Sequence, residues 1–275
     1  MSENSHVAMS CDEVRKIRMN HYYLHALAIK VPLGIGVLLA LALAAGLLAP
    51  GYSAARRDEL VLLAPAVTVL VLVSSQTGMT MHMRYVLPCF PFALIWMSRI
   101  ARSVPLRHWR IAVPAAGALA WAVASSLWVY PHSLSYFNEL VGGPTGGPAH
   151  LLDSNIDWGQ DLLYLKKWLD AHPEARPLGL AFYCCYDASV AGIEYSPPPQ
   201  GSGFLGHSAG PRAAGPLPGW YALSVTEIRL HDPRYQYFLR FQPVAMAGYS
   251  IHIYHISLDQ ANRVRRELGL PELPG

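Results

Sequence analysis

Charge is scarce in this sequence. Asp, Glu, Lys and Arg together make up 14% of the 275 residues, against about 25% in soluble domains. That shortage argues against an ordinary soluble protein. Hydrophobic residues reach 52%, which excludes disorder for most of the chain, because disorder needs low hydrophobicity and high net charge. A formal charge of +3 with no Lys/Arg-rich run leaves no footprint for nucleic acid. Cysteine is sparse as well. Cys11, Cys89, Cys184 and Cys185 show no metal-ligand spacing, and neither a metal nor a cofactor is expected. The adjacent Cys184 and Cys185 read as two small core residues on opposite faces of a strand. GxSxG, HExxH, P-loop and GxGxxG strings are all missing, which removes the common hydrolase, metalloprotease and nucleotide-binding signatures.

The acids are unevenly spread. Between residues 14 and 138 only Asp58 and Glu59 occur, and residues 60–138 form a run of 79 positions without a carboxylate. Lipid selects for such a run, since an Asp at mid-bilayer costs about 2.5–3.5 kcal/mol. Thirteen of the 18 acids lie from Glu139 onward. The pattern predicts a membrane half followed by a water-soluble half.

What is present completes that picture. A spanning helix needs about 20 apolar residues, and segments 31–50, 60–78, 85–101 and 111–130 supply four. Arg99 and Arg102 end the third and can snorkel to the interface. Residues 1–27 are too polar for a cleaved signal and read as an N-terminal extracytoplasmic segment. Arg56, Arg57, Arg99, Arg102, Arg107 and Arg110 fall in two loops on one side, which the positive-inside bias assigns to the cytoplasm. The transmembrane region is then 28–130, and residues 131–275 form an extracytoplasmic domain on the cell (inner) membrane. Met79, Met81 and Met83 read as a flexible apolar loop rather than a thioether copper site. None of the four helices carries an interior charge, which disfavours a transporter.

In the second half, Trp158, Leu162, Leu165 and Leu169 are spaced as one helix face within 151–170. Asp153, Ser154, Asn155 and Asp157 crowd its expected start, where acids and side-chain oxygens cap free N–H groups. The alternative role for Asp153, Asn155 and Asp157 is to bind a polar ligand. Their spacing resembles the start of a calcium loop, but glycine is missing at position 6, and position 12 is Tyr164. LGLAFYCCY (178–186), GWYALSVTE (219–227) and 243–256 read as strands, with short helices over 229–240 and 258–268. Residues 196–218 hold six prolines and five glycines and read as a long loop. His252 and His255 read as structural. The expected architecture is a membrane α-helical bundle of about four transmembrane helices followed by a small α/β extracytoplasmic domain.

The strings YYLHALAIKVPLG (22–34), RYVLPCFPF (84–92), YPHSLSYFNELVGGP (130–144), DSNIDWGQDL (153–162), GWYALS (219–224) and GYSIHIYHI (248–256) resemble the C-terminal portion of GT-C membrane glycosyltransferases. The resemblance is to the protein O-mannosyltransferase and aminoarabinose-transferase-like family. It implies transfer of a sugar from a polyprenyl-phosphate donor to an acceptor outside the cytoplasm. It also implies that Lys30, His82 and Arg84 lie near the lipid phosphate, which suits arginine's bidentate fork. The family's catalytic acid, which deprotonates the acceptor hydroxyl, sits in a loop between the first two family helices and has no counterpart here. The expectation is therefore a C-terminal part of such an enzyme, inactive alone. Its expected partners are membrane lipid, a polyprenyl-phosphate sugar and an N-terminal catalytic half. The rival expectation is a non-enzymatic, membrane-anchored glycan- or protein-binding module.

Overall fold

A computed structural model describes residues 22–48, 56–75, 82–103, 109–201, 215–229 and 234–275. The chain divides into two compact units, one of residues 1–128 with 137–141 and one of residues 129–136 with 142–275.

Unit 1 is helical. Helix α1 (Tyr22–Lys30) meets α2 (Leu33–Leu48) at a bend of 107°. The sequence predicts one helix from residue 31 and a polar, non-spanning segment before it; instead, helix already runs through 22–30. Tyr23, Ala26 and Ile29 bury one face of that helix. Pro32 causes the break, because it has no N–H to donate and restricts the residue before it. Helix α3 (Arg56–Ser75) and helix α5 (Trp109–Val129) each contain an internal proline, Pro65 and Pro114. Both are long and apolar enough to cross a membrane, and the bent pair is a third candidate if it counts as one span. The segment read as a span over 85–101 is not one α-helix. It runs as a 3₁₀ helix (Met83–Cys89), α4 (Phe90–Met97) and a second 3₁₀ helix (Ser98–Ser103), with Pro88 in the first piece and Pro91 opening α4. Residues 49–50, 76–81 and 104–108, and with them Met79, Met81 and Arg107, lie outside the described residues.

Small residues bring the helices together. Ala42, Trp96, Met97, Ile100 and Ala115 form the buried centre, with Leu38, Leu62 and Ile111 against it. A Cβ on Gly34 would collide with the Ala118 carbonyl and lie 2.7 Å from the Ala122 nitrogen, so the α2 and α5 backbones nearly touch. Glu59 pairs with Arg99 at 2.7 Å, and the Arg99 guanidinium lies 3.6 Å from the Trp96 ring centre. Outward-facing Leu47, Leu60, Val67, Val71, Leu119 and Leu127 are exposed.

Unit 2 includes the one-turn helix α6 (Gly143–Gly146) and is built on a four-stranded mixed sheet. Strand β1 (Leu178–Ala181) pairs parallel with β2 (Gly219–Ser224). Strand β2 pairs antiparallel with β4 (Ile251–Ile256), which pairs antiparallel with β3 (Ala245–Ala247). Alternation sends the two faces of the sheet into different cores. Leu178, Leu180, Ala222, Ile251 and Ile253 meet Leu162, Leu165 and Leu169 of α7 (Leu162–Ala171). Tyr221, Leu223, Tyr254 and Ile256 meet Phe238 and Val264. Helix α9 (Leu258–Glu267) opens with a capping box between Ser257 and Gln260. Its buried Arg265 donates from Nε to the Pro271 carbonyl at 2.7 Å and from a terminal nitrogen to that of Pro216. The C-terminal tail is tied down in this way.

Three boundaries differ from the sequence reading. Helix α7 begins at Leu162 rather than near 151, because Gly159 at φ +80° and the Asp157 side chain, which accepts from the Gly159 N–H, make a turn there. Trp158 therefore lies off the helix and is exposed. Strand β1 stops at Ala181. Beyond it, Tyr183 and Tyr186 are drawn off the sheet by hydrogen bonds to Asp153 and the Gly159 carbonyl, so Cys184 is only half-buried, Cys185 is exposed, and neither is a core residue. After Ser224 the chain turns into α8 (Val225–Arg229) instead of continuing as strand. The segment read as a helix over 229–240 contains a 3₁₀ turn, Gln236–Arg240. Residues 202–214 and 230–233 lie outside the described residues.

Candidate functional site

In unit 1 the three residues implied for the lipid phosphate lie in two places. His82 is buried, and its ring is 5.8 Å from that of Tyr85. Arg84 is exposed, with its guanidinium 5.4 Å from the same ring. Lys30 sits at the end of α1, immediately before the break, and its ammonium is 4.3 Å from the centre of the Phe137 ring. The structure thus puts His82 and Arg84 around one tyrosine and Lys30 at the break.

The break beside Lys30 is held by a residue to which the sequence reading gave no role. Asn138 is fully buried. Its side-chain amide donates to the Ala28 and Val31 carbonyls at 2.6 and 2.9 Å, and its backbone N–H donates to the Ile29 carbonyl. Carbonyls stranded where a helix stops need such donors. The SYFNEL string therefore puts an aromatic ring and an amide where the break requires them. Its position outside any periodic element hid this from a reading based on helix and strand patterns.

In unit 2, Asp153, Asn155 and Asp157 occupy one loop but do different things. Asp153 sits at φ +60° and accepts from the Ser154 N–H and hydroxyl and from the Tyr183 hydroxyl at 2.7 Å. Burial and then the bond to Asp153 push the Tyr183 phenol up. Asn155 is buried and donates to the Leu152 carbonyl. Asp157 is fully buried, and one oxygen accepts from the Gly159 N–H. Burial first, with repulsion from Asp161 and Glu227 adding, pushes its carboxyl up to about 7 against the opposing pull of Gly159 and the nearby Ser250 hydroxyl. None of the three caps α7.

The strongest polar junction is centred on Asp161, which sequence reading also missed. It is fully buried at the N-cap position of α7, yet its side chain caps nothing there. One oxygen meets His132 Nδ1 at 2.7 Å. The other accepts from the Tyr249 and Ser250 N–H groups and the Ser250 hydroxyl. A Cβ on Gly248, at φ +58°, would overlap the same carboxylate. Gln160 reinforces the loop by donating to the Ile156 carbonyl and the Ser135 hydroxyl, and Ser135 donates to the Ile156 carbonyl. Thus 132–135, 156–161 and 248–250 are knotted through buried polar groups. Among the described residues no group of three or more His, Cys, Asp or Glu side chains is arranged to hold a metal.

No protein family, characterised protein or solved structure matches the chain significantly.

Proposed function

We propose that this chain is the C-terminal part of a GT-C-like glycosyltransferase that uses a polyprenyl-phosphate sugar. In this reading unit 1 is a four-span scaffold in the cell (inner) membrane, and unit 2 lies outside the cytoplasm. The observation that carries the reading is the clamped helix break. Non-helical backbone at membrane depth is tolerated only where protein buries it or it lines a cavity, and here Asn138 covers the stranded Ala28 and Val31 carbonyls on either side of Lys30. A cation fixed at a helix break suits a lipid-linked phosphate, and Arg84, exposed beside Tyr85, supplies a second. Both Phe137 and Asn138 belong to a string that carries the resemblance.

In the reaction the acceptor oxygen forms a bond to the anomeric carbon as the bond from that carbon to the phosphate oxygen breaks. The electron pair leaves with the polyprenyl phosphate, and Lys30 and Arg84 balance its growing charge. A base must take the hydroxyl proton. Asp58 and Glu59, the carboxylates between residues 14 and 138, fall on the cytoplasmic side in this reading, and Glu59 is engaged by Arg99; the base then comes from elsewhere in the enzyme, and this chain by itself binds donor without transferring sugar. The rival reading, a glycan- or protein-binding module using Asp153, Asn155 and Asp157, draws less support, because Asn155 and Asp157 are buried and bonded within their own loop.

The test uses the whole chain in lipid nanodiscs with a polyprenyl-phosphate mannose as probe. Lys30→Ala and Arg84→Ala should each weaken binding about tenfold, equivalent to about 1.4 kcal/mol. Equal binding by wild type and both variants overturns the phosphate assignment. Sugar transfer by the purified chain unaided overturns the need for an outside base.

A further inference from the structure

Cys184 and Cys185 take no part in the site just described. They are neighbours in sequence, and both line a shallow depression of about 370 Å³ with Phe182, Tyr186, Asp187 and Tyr195. Cys185 is exposed and Cys184 half-buried. The sequence has no other cysteine beyond residue 130, so a disulfide within this half of the chain can only join these two. The Cys184 thiol donates to the Trp158 carbonyl at 3.4 Å. A Cβ on Gly159 would stand 2.7 Å from the Cys184 sulfur, so that sulfur rests on the backbone of the loop carrying Asp157 and Asp161.

We propose that Cys184 and Cys185 form a reversible dithiol–disulfide site, oxidised by exchange with a disulfide-bearing oxidant. The Cys185 thiolate, the accessible one, attacks the oxidant's disulfide and releases one thiolate. The Cys184 thiolate then attacks the Cys185 sulfur of the mixed disulfide. A bond forms between the two cysteines, and the second oxidant thiolate leaves. The cysteines lose two electrons and two protons, and the oxidant gains both as two thiols. Adjacent Cα atoms lie about 3.8 Å apart across a trans peptide, below the roughly 4.4–6.8 Å span of ordinary disulfides. Ring closure is therefore strained, and the bond is readily reduced again. Oxidation removes the hydrogen that Cys184 shares with Trp158, which leaves the Tyr186 hydroxyl on the Gly159 carbonyl as the remaining hydrogen bond between the 183–186 and 157–161 loops and loosens the join.

Exposure to oxidants in the cell rests on the extracytoplasmic placement proposed above; ring closure does not. The purified full chain is titrated with glutathione disulfide, and peptides are mapped after alkylation. The expected result is joint loss of both thiols to alkylation in one peptide lighter by two hydrogens, fully restored by dithiothreitol. Amide exchange at Gly159 should rise several-fold on oxidation. Thiols that stay alkylatable, a stable glutathione adduct on Cys185 of the wild type, or chain-to-chain disulfides would each overturn the proposal. Cys184→Ser keeps a hydroxyl donor for Trp158 and should trap the adduct on Cys185; no adduct there overturns Cys185 as the attacking sulfur. Labelling of intact cells with a membrane-impermeant maleimide tests sidedness separately. Failure to label Cys185 after treatment with an impermeant reductant would reject the outer placement and leave ring closure in the purified chain standing.

Discussion

His132 Nδ1 lies 2.7 Å from a carboxylate oxygen of Asp161, and that carboxylate is fully buried. The histidine follows the end of α5 by three residues and the aspartate opens α7, so one contact fixes a strap at the start of unit 2 to its main sheet-packing helix. The second Asp161 oxygen holds the turn before β4 through three donors. Removing the carboxylate strands those donors away from water, and buried unpaired groups cost about 1–3 kcal/mol each.

Asp161→Ala should destabilise unit 2 by about 3 kcal/mol or more. Gly248→Ala should do comparable damage, because its new Cβ overlaps the same carboxylate and its φ of +58° strains any side chain. The double variant should cost much less than the two singles combined, since the clash disappears with the carboxylate. Denaturant unfolding followed by exchange at the Tyr249 and Ser250 amides measures all three; additive losses would show that the two residues do not share one site.

Asp157 and His252 should make opposite contributions to pH dependence. Burial and neighbouring carboxylates raise the Asp157 carboxyl from 3.8 to about 7. Folded protein then holds a proton that unfolded chain has lost, so this stabilising contribution falls as pH rises from about 4 to 7. Burial, with Arg229 adding, lowers His252 from 6.5 to about 4. Here the unfolded chain holds the extra proton, so stability rises with pH across about 4 to 6.5. Each slope is at most about 1.4 kcal/mol per pH unit, and wild type should be nearly flat between pH 4.5 and 6. Asp157→Asn should uncover stability that rises with pH, and His252→Gln the reverse. Unfolding midpoints at four pH values would reveal it; identical slopes in all three proteins would refute the pairing.

Asn138→Ala should loosen the break between α1 and α2 by about 2 kcal/mol, since two carbonyls lose their donors. Asn138→Asp should be worse, because a carboxylate would face the Ala28 and Val31 carbonyls. Both should weaken polyprenyl-phosphate binding, with faster proteolysis near residues 28–33. Unchanged proteolysis would mean the amide does not hold the break.

Gly34→Ala should force α2 away from α5. The new methyl meets backbone atoms of Ala118 and Ala122, which cannot swing aside as a flexible side chain can. Overpacking of this kind costs about 1–3 kcal/mol. A cysteine pair introduced at Ala42 and Ala115, which share the buried centre of unit 1, should cross-link less efficiently in the Gly34→Ala background; equal cross-linking would show the helices absorb the methyl.

The sequence by itself determined the division into an apolar, acid-free half and a mixed half, the long helices α3 and α5, the apolar face of α7 and the approximate positions of the strands. Those follow from composition and periodicity, which act locally and leave a regular trace. Tertiary structure decided what the irregular polar residues do. Asp157 looked like a helix cap until Gly159 delayed the helix. Asp161, His132 and Asn138 acquired their roles from partners 29 to 110 residues away. Cys184 and Cys185 came off the strand because two tyrosines found better hydrogen bonds elsewhere. A buried polar group must be satisfied by whatever the fold brings near it, and local sequence carries no period that names a partner so distant.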